Sequence, residues 1–249
     1  MSGLPPRRVP VNQRPESLSS DWRIEMEKQE VVTPGAGEEL AGLFITFEGC
    51  EGSGKTTQVE MLREYLLEHG YDVVVVREPG GTPLGEKMRE ILLDPATGGM
   101  EPVTEALLFA ADRVQHVKEI IRPSLEKGCV VLGDRFVDSS LAYQGVGRGV
   151  GLEAVKNLND WAIGGLEPSL TFYLDVPAAT ALERKTSEQP DRIEQESLEF
   201  HENVRHAYAM LVRIYSNRVV ALDGSATPEA VHAEVVSEVS KHLGEGSGA

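Results

Sequence analysis

The stretch from Leu43 to Thr57 constrains this chain more than any other part of the sequence. Its apolar residues predict a strand over Leu43–Glu48, and Gly49–Thr56 has the spacing G-x-x-x-x-G-K-[ST] of a P-loop. Glycines there let successive backbone N–H groups turn towards a phosphate, and the helix that follows adds its positive end. Lys55 is expected beside the β- and γ-phosphates, and the Thr56 hydroxyl is a hard oxygen ligand suited to Mg²⁺. A site for a nucleoside triphosphate is therefore predicted here.

Strand and helix patterns alternate from the P-loop to near the end of the chain. Apolar runs predict further strands over 73–76, 129–133, 170–175 and 219–222, with helical periodicity between them. This alternation favours one α/β domain with a doubly wound, five-stranded parallel sheet flanked by helices, the P-loop NTPase type. The run Val73–Val76 is continuously β-branched, which is typical of a strand buried on both faces.

The two ends of the chain lack this pattern. Residues 1–40 carry several prolines and little periodicity, which predicts a disordered tail, and a docking arm is the alternative. Met26 is an alternative start of translation. Residues 41–243 are predicted to form a single P-loop domain, and residues 244–249 a mobile tail.

Composition excludes several classes of partner. The formal net charge of -16 argues against nucleic acid or a membrane surface. No apolar run approaches the roughly 18 residues that a membrane span needs. Two cysteines, Cys50 and Cys129, suggest a reducing compartment without a disulfide framework, and so a cytoplasmic location.

Charged residues follow several of the predicted strands, where ligands bind in such sheets. They include Arg77, Asp134, Arg135 and the polar segment 184–192. One arginine at a strand end is usually a solvated surface charge, but several around one phosphate loop indicate an anion site. Asp134 ends a Walker-B-like run and is expected to hold Mg²⁺ through water, opposite Thr56. The alternatives for Asp134 are a helix N-cap or an ion-pair partner.

Five motifs in this order resemble those of bacterial thymidylate kinases, a family of P-loop nucleoside monophosphate kinases. They span residues 47–57, 77–82, 105–113, 134–136 and 191–196, and the resemblance covers about Leu43 to Leu243. It implies that the γ-phosphoryl group of ATP is transferred to dTMP, giving dTDP and ADP in dTTP synthesis. The family is usually homodimeric, so a homodimer is expected.

The resemblance also implies a dTMP site. Phe109 would stack on the thymine ring, and Arg113 would donate to the base O4 and reject cytosine. Ordinary core packing is the alternative for Phe109. Ser140 and Gln144 would bind the base edge, and Tyr143 would crowd the sugar 2′ position. The remaining roles are contacts with the dTMP phosphate, the 3′-hydroxyl and the acceptor site, which would fall to Arg135 and Arg89, to Glu51, and to Glu78.

ATP and the lid are assigned in the same way. Residues 185–192 would close over ATP, and Gly145–Gly149 is expected to form a flexible loop over the dTMP site. Lys55, Arg135 and a lid arginine, either Arg192 or Arg184, would stabilise the transferred charge. The residues expected to bind ATP are Gly49, Cys50, Glu51, Gly52, Ser53, Gly54, Lys55, Thr56 and Thr57.

Two other functions compete with this interpretation. The first is a kinase for a different nucleoside monophosphate, which a panel of monophosphates would separate. The second is a P-loop switch or ATP-binding regulator without kinase activity. A GTPase switch should carry an N-K-x-D motif, and the sequence has none.

Overall fold

The computed structural model describes residues 40–184 and 190–245. Within these residues five strands form one parallel sheet in the order β2-β3-β1-β4-β5. The predicted doubly wound α/β fold is thereby confirmed. The strands are β1 (Phe44–Glu48), β2 (Val73–Arg77), β3 (Val130–Asp134), β4 (Leu170–Asp175) and β5 (Val219–Asp223).

Helices connect the strands and cover both faces of the sheet. The first five are α1 (Lys55–Glu68), α2 (Pro83–Leu93), α3 (Pro102–His116), α4 (Arg122–Glu126) and α5 (Val137–Ser140). They are followed by α6 (Leu152–Ile163), α7 (Ala178–Arg184), α8 (Leu198–Ile214) and α9 (Pro228–Glu245). Short segments of 3₁₀- and π-helix complete them at Pro95–Thr97, Val117–Ile121 and Leu141–Gly147.

Strand β1 lies at the centre and positions the P-loop. It pairs with β3 on one side, where Phe47 is opposite Asp134, and with β4 on the other, where Glu48 is opposite Tyr173. Every residue of β1 is buried. Because the carboxyl ends of neighbouring parallel strands meet at one edge, the loops after β1, β3 and β4 converge there.

Alternate side chains of the sheet enter two separate cores. Ile45 packs with Leu62 of α1 and Val235 of α9 on one face. Phe44 points to the other face, where its ring meets that of Phe136 edge-on at 4.9 Å between centroids. This period-two alternation fixes the register of the central strand, since a one-residue slip would exchange the two faces.

The prediction that Val73–Val76 is buried on both faces is wrong. Strand β2 lies at the edge of the sheet, and Val75 is 38% exposed. A β-branched run favours a strand, but it does not reveal the place of that strand in the sheet.

Two helical predictions also need correction. The sequence pattern predicts one long helix over Val103–Lys127, bent near Pro123. In the structure this stretch instead widens into a π-turn over Val117–Ile121, and the Arg122 N–H bonds the Val117 carbonyl five residues back. The flexible loop expected over Gly145–Gly149 begins inside the π-helix Leu141–Gly147, and Arg148 is held by two carboxylates. A wide helical turn accommodates glycines that a pattern of turn residues would assign to a loop.

Some predictions fall on residues outside the described ranges. These are the tail 1–39, the lid core 185–189 and the last residues 246–249. Leu40 packs against the core around Phe44, and α9 continues to Glu245, two residues beyond its predicted end. Among the described helices, none has the length and apolar character needed to cross a membrane.

Candidate functional site

The P-loop between β1 and α1 requires its glycines for two different reasons. Gly52 has a φ of 76°, and a Cβ there would lie 2.1 Å from the Ala181 carbonyl oxygen. Gly54 has a φ of 98° and precedes the first residue of α1 without a side-chain cap. The N-terminal N–H groups of α1 are therefore left for a ligand, as in an anion site.

Lys55 is folded back on the loop that carries it. Its Nζ donates to the carbonyl oxygens of Cys50 at 2.9 Å and Gly49 at 3.2 Å, and the residue is 5% exposed. Burial, and next the positive charge of Arg135, lower the pKa of Lys55. A bound phosphate would raise the pKa of Lys55 again, because a negative charge beside the ammonium stabilises its protonated form.

Thr56 and Asp134 bring two hard oxygen ligands together. The Thr56 Oγ1, in the first turn of α1, donates to the Asp134 Oδ2 at the end of β3 at 2.6 Å. Phe136, and not Asp134, precedes α5, so the N-cap alternative for Asp134 is wrong. The residues described contain no group of three or more His, Cys, Asp or Glu that could enclose a metal alone. The pair fits Mg²⁺ that keeps water and phosphate oxygens as its other ligands.

An open cavity of about 620 Å³ lies beside the P-loop. Its lining includes every residue that the sequence assigned to dTMP, drawn from the loops after β1 and β2, from α2 and α3, and from the segment after β3. These residues are Glu51, Glu78, Arg89, Phe109, Arg113, Arg135, Ser140, Tyr143 and Gln144. Segments far apart in the chain therefore meet around one space.

The sequence analysis assigned the other lining residues no contact with dTMP. Asp191, Ile193 and Glu194 belong to the motif over 191–196, which was the only sequence signal that pointed to them. Leu93 ends α2, and Ser139 lies one residue before the assigned Ser140. The additional lining residues are Pro79, Leu93, Ser139, Asp191, Ile193 and Glu194.

Arg135 turns back towards the P-loop because its backbone is left-handed, with a φ of 75°. Its Nη1 donates to the Gly49 carbonyl at 2.9 Å and to the Ser139 Oγ at 3.0 Å, while Nη2 bonds the Glu51 carboxylate at 2.5 Å. A left-handed non-glycine residue costs about 1–3 kcal/mol, which the surrounding contacts must offset. The fixed guanidinium is a ready partner for a phosphate at the end of the cavity next to the loop.

Glu48, at the end of β1, accepts hydrogen bonds from the residues that surround Arg135. Its carboxylate accepts from the Phe136 N–H at 2.7 Å, the Ser139 hydroxyl at 2.5 Å and the Tyr208 hydroxyl at 2.9 Å. Burial, and next the charge of Asp138, raise the pKa of Glu48 to about 7. The bond to the Phe136 N–H fixes the backbone directly after Arg135.

Arg113 lines the cavity, but its hydrogen bonds differ from the expected one. Nε and Nη2 both bond the Glu78 carboxylate, Nη1 donates to the Ser140 and Asn159 side chains, and Nη2 also reaches the Phe136 carbonyl. All five donors of the guanidinium thus have partners among the described residues. Its partner Glu78 is buried too, and burial raises the pKa of this carboxyl to about 8 despite Arg113.

Glu105, in the first turn of α3, is the centre of a second buried network. Its carboxylate contacts Arg192 Nη1 at 2.7 Å and Arg148 Nε at 3.2 Å, and it accepts from Gln144 Nε2 at 2.8 Å. Arg148 also bonds Glu196. The network joins α3 to the π-helix before α6 and to the segment before α8.

This network bears on which arginine acts in catalysis. Arg192 is held by Glu105 and by the Leu92 carbonyl at 2.9 Å, so its guanidinium lies against α2 and α3 and lines neither cavity beside the P-loop. Arg184 instead lines a second cavity of about 590 Å³ together with Gly52, Ser53, Gly54 and Thr57. Arg184 donates to the Gly224 carbonyl at 2.8 Å. Of the two candidates, Arg184 is thus the one whose side chain lines a cavity beside the P-loop.

Comparison with protein families agrees with this arrangement. Residues 47–235 match the family model described as thymidylate kinase. The thymidylate kinase of Thermoanaerobacter sp. (strain X514) is 48% identical over 204 residues, which is 82% of this chain and 100% of that protein. The thymidylate kinase of Halothermothrix orenii is 50% identical over 204 residues, 80% of this chain and 97% of the relative.

A solved structure extends the similarity to three dimensions. The crystal structure of thymidylate kinase from Ehrlichia chaffeensis matches with a TM-score of 0.66 and 36% sequence identity. The match covers 80% of this chain and 98% of that one.

Proposed function

Because the chain belongs to the thymidylate kinase family and transfers the γ-phosphoryl group of ATP to dTMP, we propose that the two cavities that meet at the P-loop hold these two substrates. The 620 Å³ cavity between Phe109 and Arg135 takes dTMP, and the P-loop with the cavity beside Arg184 takes ATP. The observation that carries this assignment is that all nine residues expected to bind dTMP line one space that ends at the loop.

In the dTMP site the two ends of the cavity have different chemistry. Arg135 and Arg89 are the cations that would bind the phosphate, while Phe109 and Tyr143 offer aromatic surface to the base and sugar. Glu51 holds the Arg135 guanidinium before the substrate arrives. If the dTMP phosphate took the place of this carboxylate on Arg135, the Glu51 carboxylate could accept a hydrogen bond from the 3′-hydroxyl.

In the ATP site the backbone does most of the binding. The N–H groups of the P-loop and the start of α1 would surround the phosphates, with Lys55 released from the Gly49 and Cys50 carbonyls to reach them. Residues 49–57 form this site. An ATP-dependent kinase generally uses a divalent metal, and we assign it as Mg²⁺ held by Thr56 and, through water, Asp134.

Catalysis in this arrangement needs positioning and charge but no general base. A phosphate monoester has a second pKa of about 6, so the dTMP phosphate is largely dianionic at neutral pH and needs no deprotonation. Lys55, Arg135 and Arg184 would stabilise the charge on the transferred group, and Mg²⁺ would neutralise the donor oxygens. Arg184 precedes the segment 185–192 that we propose as the lid over ATP.

Exposed apolar side chains support a homodimer. Helices α2, α3 and α6 pack side by side and carry several large side chains that are at least a third exposed, with Trp161 at 77%. We define this surface as the α2–α3–α6 face, and a second copy of the chain would cover it. Its residues are Leu84, Ile91, Val103, Leu107, Val114 and Trp161. A cytoplasmic location is proposed from the two free cysteines.

ADP production with a panel of monophosphates tests the substrate assignment. With ATP as donor, dTMP should exceed dUMP, dCMP, dGMP and AMP in kcat/KM. Phe109→Ala should raise the KM for dTMP much more than the KM for ATP, because it removes surface from one cavity alone. A similar rise in both constants would contradict the division into two sites.

A further inference from the structure

The side-chain amide of Gln144 has a fixed orientation in the cavity that we assign to dTMP. Its Nε2 donates to the Glu105 Oε1 at 2.8 Å. An ionised carboxylate only accepts hydrogen bonds, so the nitrogen end of the amide has to face Glu105. The described residues offer no hydrogen-bond partner to the Gln144 Oε1, although this side chain lines the cavity. The oxygen is therefore the end available to a bound base.

Glu105 is held in the charged state that this orientation requires. The residue is 1% exposed, but Arg192 and Arg148 contact its carboxylate oxygens at 2.7 and 3.2 Å. Burial acts to raise the pKa of Glu105, yet the hydrogen bond from Gln144 and the charge of Arg148 bring the pKa below its usual value. Rotation of the Gln144 amide would set its oxygen against this carboxylate, which is repulsive in a buried site.

Ser140 adds a donor beside this acceptor. Its Oγ accepts from the Arg113 Nη1 at 3.1 Å, so the hydroxyl hydrogen is directed elsewhere, and Ser140 lines the same cavity. The wall thus presents one acceptor, from Gln144, and one donor, from Ser140. A thymine or uracil edge carries the complementary groups, an N3–H next to a carbonyl oxygen. A cytosine edge has a bare N3, which would face the Gln144 oxygen without a hydrogen between them.

We propose that Glu105 is a positioning residue for base selection: its carboxylate holds the Gln144 amide so that the oxygen faces the base, and the site thereby accepts a pyrimidine with a hydrogen on N3 and rejects one without it. This inference rests on the assignment of the cavity to dTMP. It adds Glu105, acting through Gln144, to the residues that discriminate against cytosine.

The sharpest probe is 5-methyl-dCMP, because it differs from dTMP only at positions 3 and 4 of the ring. For each variant, kcat/KM and the dissociation constant are measured with both nucleotides, by ADP production and by titration calorimetry. Glu105→Gln offers the Gln144 amide either a donor or an acceptor, so the amide is free to turn. The preference for dTMP over 5-methyl-dCMP should then fall about tenfold or more. An unchanged preference would overturn the inference.

Arg148→Met is the matched control for loss of the buried network. It removes a guanidinium from the same carboxylate but leaves the bond between Gln144 and Glu105. Stability should fall in both variants, whereas the preference should fall only in Glu105→Gln. An equal fall in both variants would mean that the network merely supports the fold, and it would overturn the positioning role. If Glu105→Gln does not fold, Glu105→Asp keeps the charge but withdraws the carboxylate from Gln144 by one methylene, and the same loss of preference is expected.

Gln144→Leu separates this inference from the site assignment. It should weaken dTMP binding while leaving ATP binding unchanged. Unchanged dTMP binding would overturn the assignment of the cavity to dTMP, and the inference with it. Weakened dTMP binding in Gln144→Leu, together with an unchanged preference in Glu105→Gln, would overturn the role of Glu105 alone.

Discussion

Arg113 and Glu78 form an ion pair that is almost entirely enclosed, with 2.7 Å between Nη2 and Oε2 and side-chain exposures of 1% and 2%. The pair joins α3 to the loop after β2. Removal of Arg113 leaves the buried Glu78 carboxyl without its cation and its hydrogen-bond donors, which costs far more than the loss of an exposed pair.

Arg113→Ala is therefore expected to destabilise the fold as well as the dTMP site. The free energy of unfolding should fall by about 3–5 kcal/mol, because Glu78 loses its partner and three other acceptors lose a donor. Urea denaturation followed by circular dichroism measures this change. Any loss of dTMP binding in this variant has to be compared with that loss of stability before it is assigned to a base contact.

Arg77→Ala is the matched control. Arg77 also pairs with a glutamate, Glu86 at 3.2 Å, but both side chains are about half exposed. In Arg77→Ala the free energy of unfolding should fall by less than about 1 kcal/mol. Similar costs for the two variants would show that burial does not govern the strength of these pairs.

Different parts of this structure were predictable from the sequence to different degrees. The P-loop and the strand before it lie in one short motif whose geometry is local, so their positions followed from the pattern. The residues that we assign to dTMP lie in motifs far apart in the chain, and they were chosen through the family resemblance. The edge position of β2 did not follow, because strand order depends on contacts between distant segments. The same holds for Arg192, since its partner Glu105 lies on α3 and nothing near Arg192 in the sequence indicates the pair.

Lys55→Ala should abolish turnover while dTMP still binds. The Lys55 ammonium contacts only backbone carbonyls of its own loop among the bonds described, so its loss should not disturb the cavity at Phe109. A fall in kcat of at least about 100-fold is expected from the loss of one charge at the transferred group. ADP production gives kcat, and calorimetry gives the dissociation constant for dTMP. Normal turnover with lost dTMP binding would be the opposite of this expectation.

Thr56→Val should raise the Mg²⁺ concentration that the reaction requires. Valine keeps the shape of threonine but lacks the hydroxyl that lies 2.6 Å from Asp134. A chelator should stop ADP production by the unaltered enzyme, and added Mg²⁺ should restore it. In the variant, kcat at low Mg²⁺ should fall about tenfold or more, with partial recovery as Mg²⁺ is raised. An identical Mg²⁺ dependence in both proteins would exclude the Thr56 hydroxyl as a ligand.

Glu48 predicts a specific pH dependence of stability. Its pKa of about 7 in the folded chain exceeds the model-peptide value near 4.5, so folding takes up a proton between these pH values. The contribution of Glu48 to the free energy of unfolding is therefore highest below about pH 4.5, and it falls as the pH rises to 7, by up to about 3 kcal/mol. Denaturant melts of the unaltered chain and Glu48→Gln at several pH values measure it. The difference between the two proteins should change over this range, and a constant difference would contradict the shift.

The α2–α3–α6 face gives the last prediction, which concerns assembly. Leu107 lies in the middle of α3 and is 50% exposed in the single chain, where its apolar surface contacts water at a cost that a second copy would remove. Leu107→Glu would place a charge in that interface on both copies, related by the two-fold axis of a dimer, so the variant should be monomeric at concentrations where the unaltered chain is dimeric. Leu198→Glu is the control, since Leu198 is also 50% exposed but lies at the start of α8, outside this face. Analytical ultracentrifugation of the unaltered chain and the two variants measures the oligomeric state. If Leu107→Glu remains dimeric while Leu198→Glu is monomeric, the interface includes the start of α8 and not the α2–α3–α6 face.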